Sequence, residues 1–166
     1  ISIAAYTNIQ QRAKNTAIIN AASQSLKMIE AYIAANGTYP AKSSACITVE
    51  VGCRHSPTSD GATSSNTTFN TNMATIGILP KSVPTEGSRL YGISYSYDST
   101  KTFSGESRPA HLEYHLFGTY RRCGIPGVMR WTASGYEVSS EGYTDRDQNG
   151  SGKTLCRVTI AGPAHS

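Results

Sequence analysis

The first forty residues constrain the chain most. ISIAAYTNIQQRAKNTAIINAASQSLKMIEAYIAANGTYP reads as one uninterrupted helix over residues 1–36, closed by Gly37 and Pro40. On a helical wheel Ile18, Ile19, Ala22, Leu26, Ile29 and Ile33 share an arc of about 100°, the width of a core-facing stripe. Ile1, Ile3, Tyr6, Ile9 and Ala13 instead scatter around the cylinder. The back half is therefore expected to lie on a core, and the front half is apolar on several sides. Such a helix would run ~54 Å. A compact chain of 166 residues, with a radius of gyration of ~15 Å, is only ~40 Å across. The helix is thus expected to project and to need a partner: a membrane, or further copies of itself.

The remainder is polar but weakly charged. Charged residues make up 16% of the sequence and the net charge is +4, so a nucleic-acid partner is permitted but not demanded. The rest is rich in Ser, Thr, Asn and Gly, with ten Tyr, which suits an extracellular β-rich surface. No run of about 18 apolar residues is present, so no membrane span is predicted. The chain opens mid-pattern without a capping residue, so a cut inside a longer helix is expected. Four cysteines, Cys46, Cys53, Cys123 and Cys156, form no CxxC pair. That argues against a zinc ribbon and for two disulfides in an oxidising compartment. Three pairings are open; Cys46–Cys53 with Cys123–Cys156 is favoured, a short local loop and a C-terminal clasp.

Three regions follow: the helix over 1–36, a Ser/Thr/Asn/Gly-rich connection over 37–86, and a strand-rich region over 87–166. In the connection, CITVEVGC could form a strand or hairpin pinned at both ends. Met73, Ile76 and Leu79 suggest a short helix over 70–77, and Asn66-Thr67-Thr68 is formally a glycosylation sequon. In the last region Tyr91, Ile93, Tyr95 and Tyr97 alternate with small polar residues. Leu112, Tyr114 and Leu116 alternate with His111, Glu113 and His115. TKTFSGESRP reads as a hairpin loop, VMRWTASGYEVSS as a third strand or hairpin, and LCRVTIAG as a last strand. The fold class expected is α+β: a long N-terminal α-helix packed on a four-stranded antiparallel β-sheet whose other face is polar and solvated.

Several clusters could carry chemistry. DRDQNG matches the first half of a calcium loop, with Asp145, Asp147 and Asn149 offering side-chain oxygens and Ser151 a carbonyl. The twelfth position is Cys156 rather than Glu, so the loop is incomplete, and an ordinary polar turn is the competing reading. His111, Glu113 and His115 on one strand face could hold zinc, or simply face water. Arg121, Arg122, Arg130, Lys153 and Arg157, with Trp131, could form a basic aromatic patch for DNA phosphates. No nucleophile elbow, phosphate loop or dinucleotide fingerprint occurs, and no catalysis is expected.

The run AxxYTNIQQRAKNTA, from Ala4 or Ala5 through Ala17, and the helix exit AYIAANGTYP resemble a type IV pilin that lacks its most apolar N-terminal segment. The resemblance in sequence covers about the first forty residues. The pilin family's Glu-bearing opening is absent, so its leader-processing and Glu-dependent assembly roles fall on no residue here. The resemblance implies the pilin fold and a structural subunit that packs helix against helix into surface filaments. It places Ile1, Ile3, Tyr6, Ile9 and Ala13 at the assembly interface. Partners would be other pilin subunits, minor pilins and the assembly machinery. The pilus would be extracellular, with the unassembled subunit anchored in the inner membrane, and would serve adhesion, twitching motility or DNA uptake. No cofactor is required, though calcium is a candidate. The alternatives are a type II secretion pseudopilin with a calcium site, and a secreted adhesin or DNA-binding module.

Overall fold

A computed structural model describes residues 3–40, 44–47, 53–54, 62–63, 66–78, 80, 92–133 and 135–163. The side chains of residues 3–4, 53–54 and 62–63 lie outside that description. The protein is α+β, with one long N-terminal helix and a four-stranded antiparallel sheet. Helix α1 spans Ile3–Asn36 without a break. It ends at Gly37, whose φ of +66° is a left-handed conformation that favours glycine, and whose N–H donates to the Ile33 carbonyl at 2.8 Å.

The main sheet runs β1 (Ser44–Cys46), β4 (Ile93–Tyr97), β7 (Ala110–Phe117), β10 (Lys153–Thr159), antiparallel throughout. Between β1 and β4 come the short pair β2 (Cys53–Arg54) and β3 (Ala62–Thr63) and helix α2 (Thr67–Ala74). A second sheet joins β6 (Glu106–Ser107), β5 (Thr102–Phe103), β9 (Gly135–Val138) and β8 (Met129–Thr132).

The back half of α1 covers one face of the main sheet. Ile18, Ala21, Ala22, Ser25, Ile29 and Ile33 are buried, with Ile19, Leu26, Met28 and Tyr32 packed at the margins. Facing them are Tyr95 from β4 and Leu112, Tyr114 and Leu116 from β7, all fully or almost fully buried. Each buried Ile or Leu contributes about 1.5–3 kcal/mol of transfer free energy. Ser25 keeps its place in this stripe because its hydroxyl donates to the Ala21 carbonyl at 2.8 Å.

Two expectations about the sheet are corrected. The fourth strand is β1, while the segment containing Trp131 folds into the second sheet. Ser44–Cys46 is three residues long, too short to show a period. Of CITVEVGC the two ends are described: Cys46 pairs with β4 and Cys53 with β3, and residues 48–52 between them lie outside the described residues.

The other correction concerns the polar face of β7. His111, Glu113 and His115 are 8%, 4% and 5% exposed, not solvated. The second sheet reaches this face through Tyr136 of β9, which lies 6.4 Å from the His111 ring and accepts a hydrogen bond from Arg157 of β10. The domain therefore has three layers, and its second interface is built from polar side chains that alternation alone assigns to water.

Helix α2 also differs from the expected 70–77. It begins earlier because the Asn66 side chain accepts the Phe69 N–H at 2.9 Å and caps it. The apparent sequon is thus a helix start. Phe69 stacks on Tyr95, centroids 5.2 Å apart, and joins the core with Met73. Leu79 and Tyr91 lie outside the described residues.

Cys123 and Cys156 are disulfide-bonded across 33 residues. On the chain-entropy account a loop of that length contributes about 4 kcal/mol. Cys46 is disulfide-bonded too; the Cys53 side chain lies outside the described ones. The Cys123 loop abuts α1 at Gly124, where a Cβ would meet Ile19 side-chain carbons at 3.1 Å and φ is +75°. A side chain there would take a left-handed backbone conformation and press on Ile19.

Tyr95 and Tyr114 give the fold a defined alkaline limit. Burial raises both hydroxyl pKa values well above the ordinary 10.0, and for Tyr95 the neighbouring Tyr39, Tyr97 and Tyr32 add to it. The folded state therefore holds protons that the unfolded chain releases near 10. Stability is full below that pH and drains away above it. A phenol titration followed at 295 nm should leave these two tyrosines un-ionised until circular dichroism reports unfolding. Ionisation of all ten tyrosines while the fold persists would contradict this.

Candidate functional site

The site candidates divide between the helix front and the layer between the sheets. On α1, Tyr6 and Ile9 are 58% and 60% exposed, and Ala13 is exposed. Ile1 and the side chain of Ile3 lie outside the described residues. From Ile18 onward the stripe is buried. The junction is made by Asn15. Its Nδ2 donates to the Phe117 carbonyl at 3.0 Å and its Oδ1 accepts the Phe117 N–H at 2.8 Å. One side-chain amide thus satisfies both backbone groups at the end of β7. Beside it, the Lys14 ammonium lies 5.2 Å from the Phe117 ring centroid. The ~18 Å of helix ahead of Asn15 carries apolar groups in the open.

Between the sheets, Glu113 Oε2 accepts Arg157 Nε at 2.7 Å, and Arg157 Nη1 is 3.0 Å from the Tyr136 hydroxyl. Register places the pair directly across β7 and β10. Burial works against the Arg157 charge, but Glu113, with Tyr136 beside it, more than offsets that, and the guanidinium pKa is raised. The zinc reading is thereby recast. The three residues do share a face, but the cation beside Glu113 is Arg157. Among the described residues no group of three or more His, Cys, Asp or Glu side chains is arranged to hold a metal.

The Asp145 loop is a turn stitched by its own side chains. Asp145 Oδ1 accepts the Asp147 N–H at 3.0 Å, and Asp147 Oδ1 accepts the Gly152 N–H at 2.8 Å. Asn149 sits at φ 51°, and the exposed Ser151 accepts the Lys153 N–H on its hydroxyl at 3.3 Å. Asp145 also pairs with Leu155 through backbone bonds in both directions. Together with Gly127 and Val128, which bond to Thr159 and bridge to Val158, this covers the outer edge of β10.

The five basic residues differ in burial and in partners. Arg121 and Arg122 are exposed. Arg130 is 3.8 Å from Glu137 across the β8–β9 hairpin. Lys153 is 8% exposed, its ammonium 4.6 Å from the Phe117 ring centroid, and Arg157 is held by Glu113. Two of the five cations thus work inside the fold. A groove of about 610 Å³ runs between the last turns of α1 and residues 161–163, with Glu30 as its charged lining residue. Asn15 and Tyr136 are the residues sequence reasoning missed. Tyr136 had a signal in the alternation of GYEV; Asn15 had none beyond its position at the junction of scattered and striped apolar residues.

The chain matches no family model, and comparison with curated proteins and with solved structures returns no match. No helix among the described residues is long and apolar enough to cross a membrane.

Proposed function

We propose that this chain is a structural subunit of a bacterial surface filament of the type IV pilin kind, assembling through the front of α1. The observation that carries this reading is the abrupt change along one helix. Behind Asn15 the apolar side chains belong to the core; ahead of it Tyr6 and Ile9 stand in water on a regular helix. Exposed apolar groups on an otherwise rigid rod are stable when neighbouring copies bury them. The α+β arrangement, a long N-terminal helix over a four-stranded antiparallel sheet, is compatible with the pilin fold. On this reading the chain performs no catalysis and needs no cofactor. Its partners are further subunits and the machinery that assembles them at the cell surface.

The test is deletion of the gene in the source bacterium, followed by electron microscopy of the cell surface and mass spectrometry of sheared filaments. The chain should be found in filaments that disappear or shorten on deletion and return with the gene. Unchanged filaments without a trace of the chain would contradict the proposal.

A further inference from the structure

Trp131 is the chain's single tryptophan, and it is 61% exposed. An indole left this open is unusual for a domain with two buried interfaces. Its position is nonetheless fixed. It stands opposite Tyr136 in the β8–β9 ladder, with ring centroids 4.8 Å apart and planes at 85°. Tyr136 is only 6% exposed, and its hydroxyl is bonded to Arg157, which Glu113 holds in turn. The ionic cluster between the sheets is therefore the footing of an exposed aromatic ring. At the rim, the Lys101 ammonium lies 5.6 Å from the Trp131 ring centroid and 3.5 Å from the Asp98 carboxylate.

The local charge says what the ring is suited to meet. Lys101 is paired with Asp98, and Arg108 with Glu106 at 3.1 Å on the same β5–β6 hairpin. On the opposite face of β8 and β9, Arg130 is paired with Glu137. The described cations of both hairpins thus carry their own carboxylates. A nucleic acid draws its affinity from cations that are not already neutralised. An apolar protein surface would strip water from Lys101 and Asp98 without replacing their hydrogen bonds. A sugar does neither. The C–H face of a pyranose is weakly positive and matches the negative face of the indole, while its hydroxyls both donate and accept.

We propose that Trp131 is the stacking platform of a binding site for neutral carbohydrate, with Lys101 and Asp98 bonding the hydroxyls of the stacked sugar. The site is separate from the helix front and stands whether or not the chain assembles into filaments.

Because Trp131 is the sole tryptophan, its emission, excited selectively beyond the tyrosine absorption band, reports on this site alone. The purified chain is titrated with lactose, cellobiose, diacetylchitobiose and maltotriose to about 10 mM, and separately with an oligothymidylate. At least one sugar should shift the emission saturably, with little change between about 50 and 300 mM salt. Trp131→Ala, followed by calorimetry because it lacks the fluorophore, should weaken that binding about tenfold or more. Trp131→Phe should retain part of it, and both variants should keep the wild-type circular dichroism. The proposal is overturned if none of the sugars binds. It is equally overturned if only the oligothymidylate binds with steep salt dependence, or if the emission follows protein concentration alone, which would make this face a contact between copies.

Discussion

Replacing Ile29 by Asp should leave the head of this protein unfolded at neutral pH. Ile29 is 1% exposed and sits in the stripe of α1 that covers the main sheet. The substitution removes a side chain whose burial contributes about 1.5–3 kcal/mol. It also forces an unpaired carboxylate against Ile and Leu side chains, at several kcal/mol more. A domain of this size has a net stability of only about 5–15 kcal/mol. Ile29→Ala separates the two contributions: it creates a cavity without a charge and should cost about 2–5 kcal/mol while still folding. Denaturant titrations of the two variants check this. An Ile29→Asp protein as stable as Ile29→Ala would mean that the helix does not press on the sheet there.

Arg157→Met is the second large effect expected, of about 3–5 kcal/mol. The guanidinium is the hydrogen-bonded partner of Glu113, a residue 4% exposed, and it also holds the Tyr136 hydroxyl. Among the described residues Glu113 Oε1 finds no hydrogen-bond donor, so losing Arg157 removes the bonds that make a buried charge tolerable there. A second variant distinguishes this from lost packing. The double variant Arg157→Met with Glu113→Leu should recover most of the stability, because an apolar pair of similar volume replaces the ionic one. A double variant less stable than Arg157→Met alone would overturn this account of the inter-sheet layer.

The sequence made the first interface of this fold legible and concealed the second, for one physical reason. Where burial is apolar it leaves a period: Ile18, Ile29 and Ile33 repeat at helical spacing, and Leu112, Tyr114 and Leu116 at strand spacing. Those patterns name the helix, the central strands and the surfaces that meet. The other face of the main sheet carries the buried His111, Glu113 and His115 and the partly buried Arg157, residue types that alternation assigns to solvent. Only the cross-strand register, Glu113 against Arg157, shows that the charges cancel and that a cover can close over them. The metal readings draw on residue types that serve two purposes. Asp, Asn and Gly at loop spacing are ambiguous between a cation and the backbone, and Asp145 and Asp147 turn oxygens towards the N–H groups of Asp147 and Gly152. The second-sheet strands β5 and β6 are two residues each, shorter than any period. The change of role along α1 was visible as a change from scattered to striped apolar residues. Asn15, which pins the junction to Phe117, places it two residues ahead of Ala17.

The division of α1 into an assembly surface and a structural half is the central claim, and Ile9→Asp tests it most directly. Ile9 is 60% exposed and ahead of the Asn15 junction, so its replacement should change the stability of the purified protein by no more than about 0.5 kcal/mol. Surface filaments are counted by electron microscopy in cells carrying the variant gene, beside the thermal unfolding of the same variant. The account predicts unchanged unfolding and a severe loss of filaments. Normal filaments, or a loss of stability approaching that of Ile29→Asp, would contradict it.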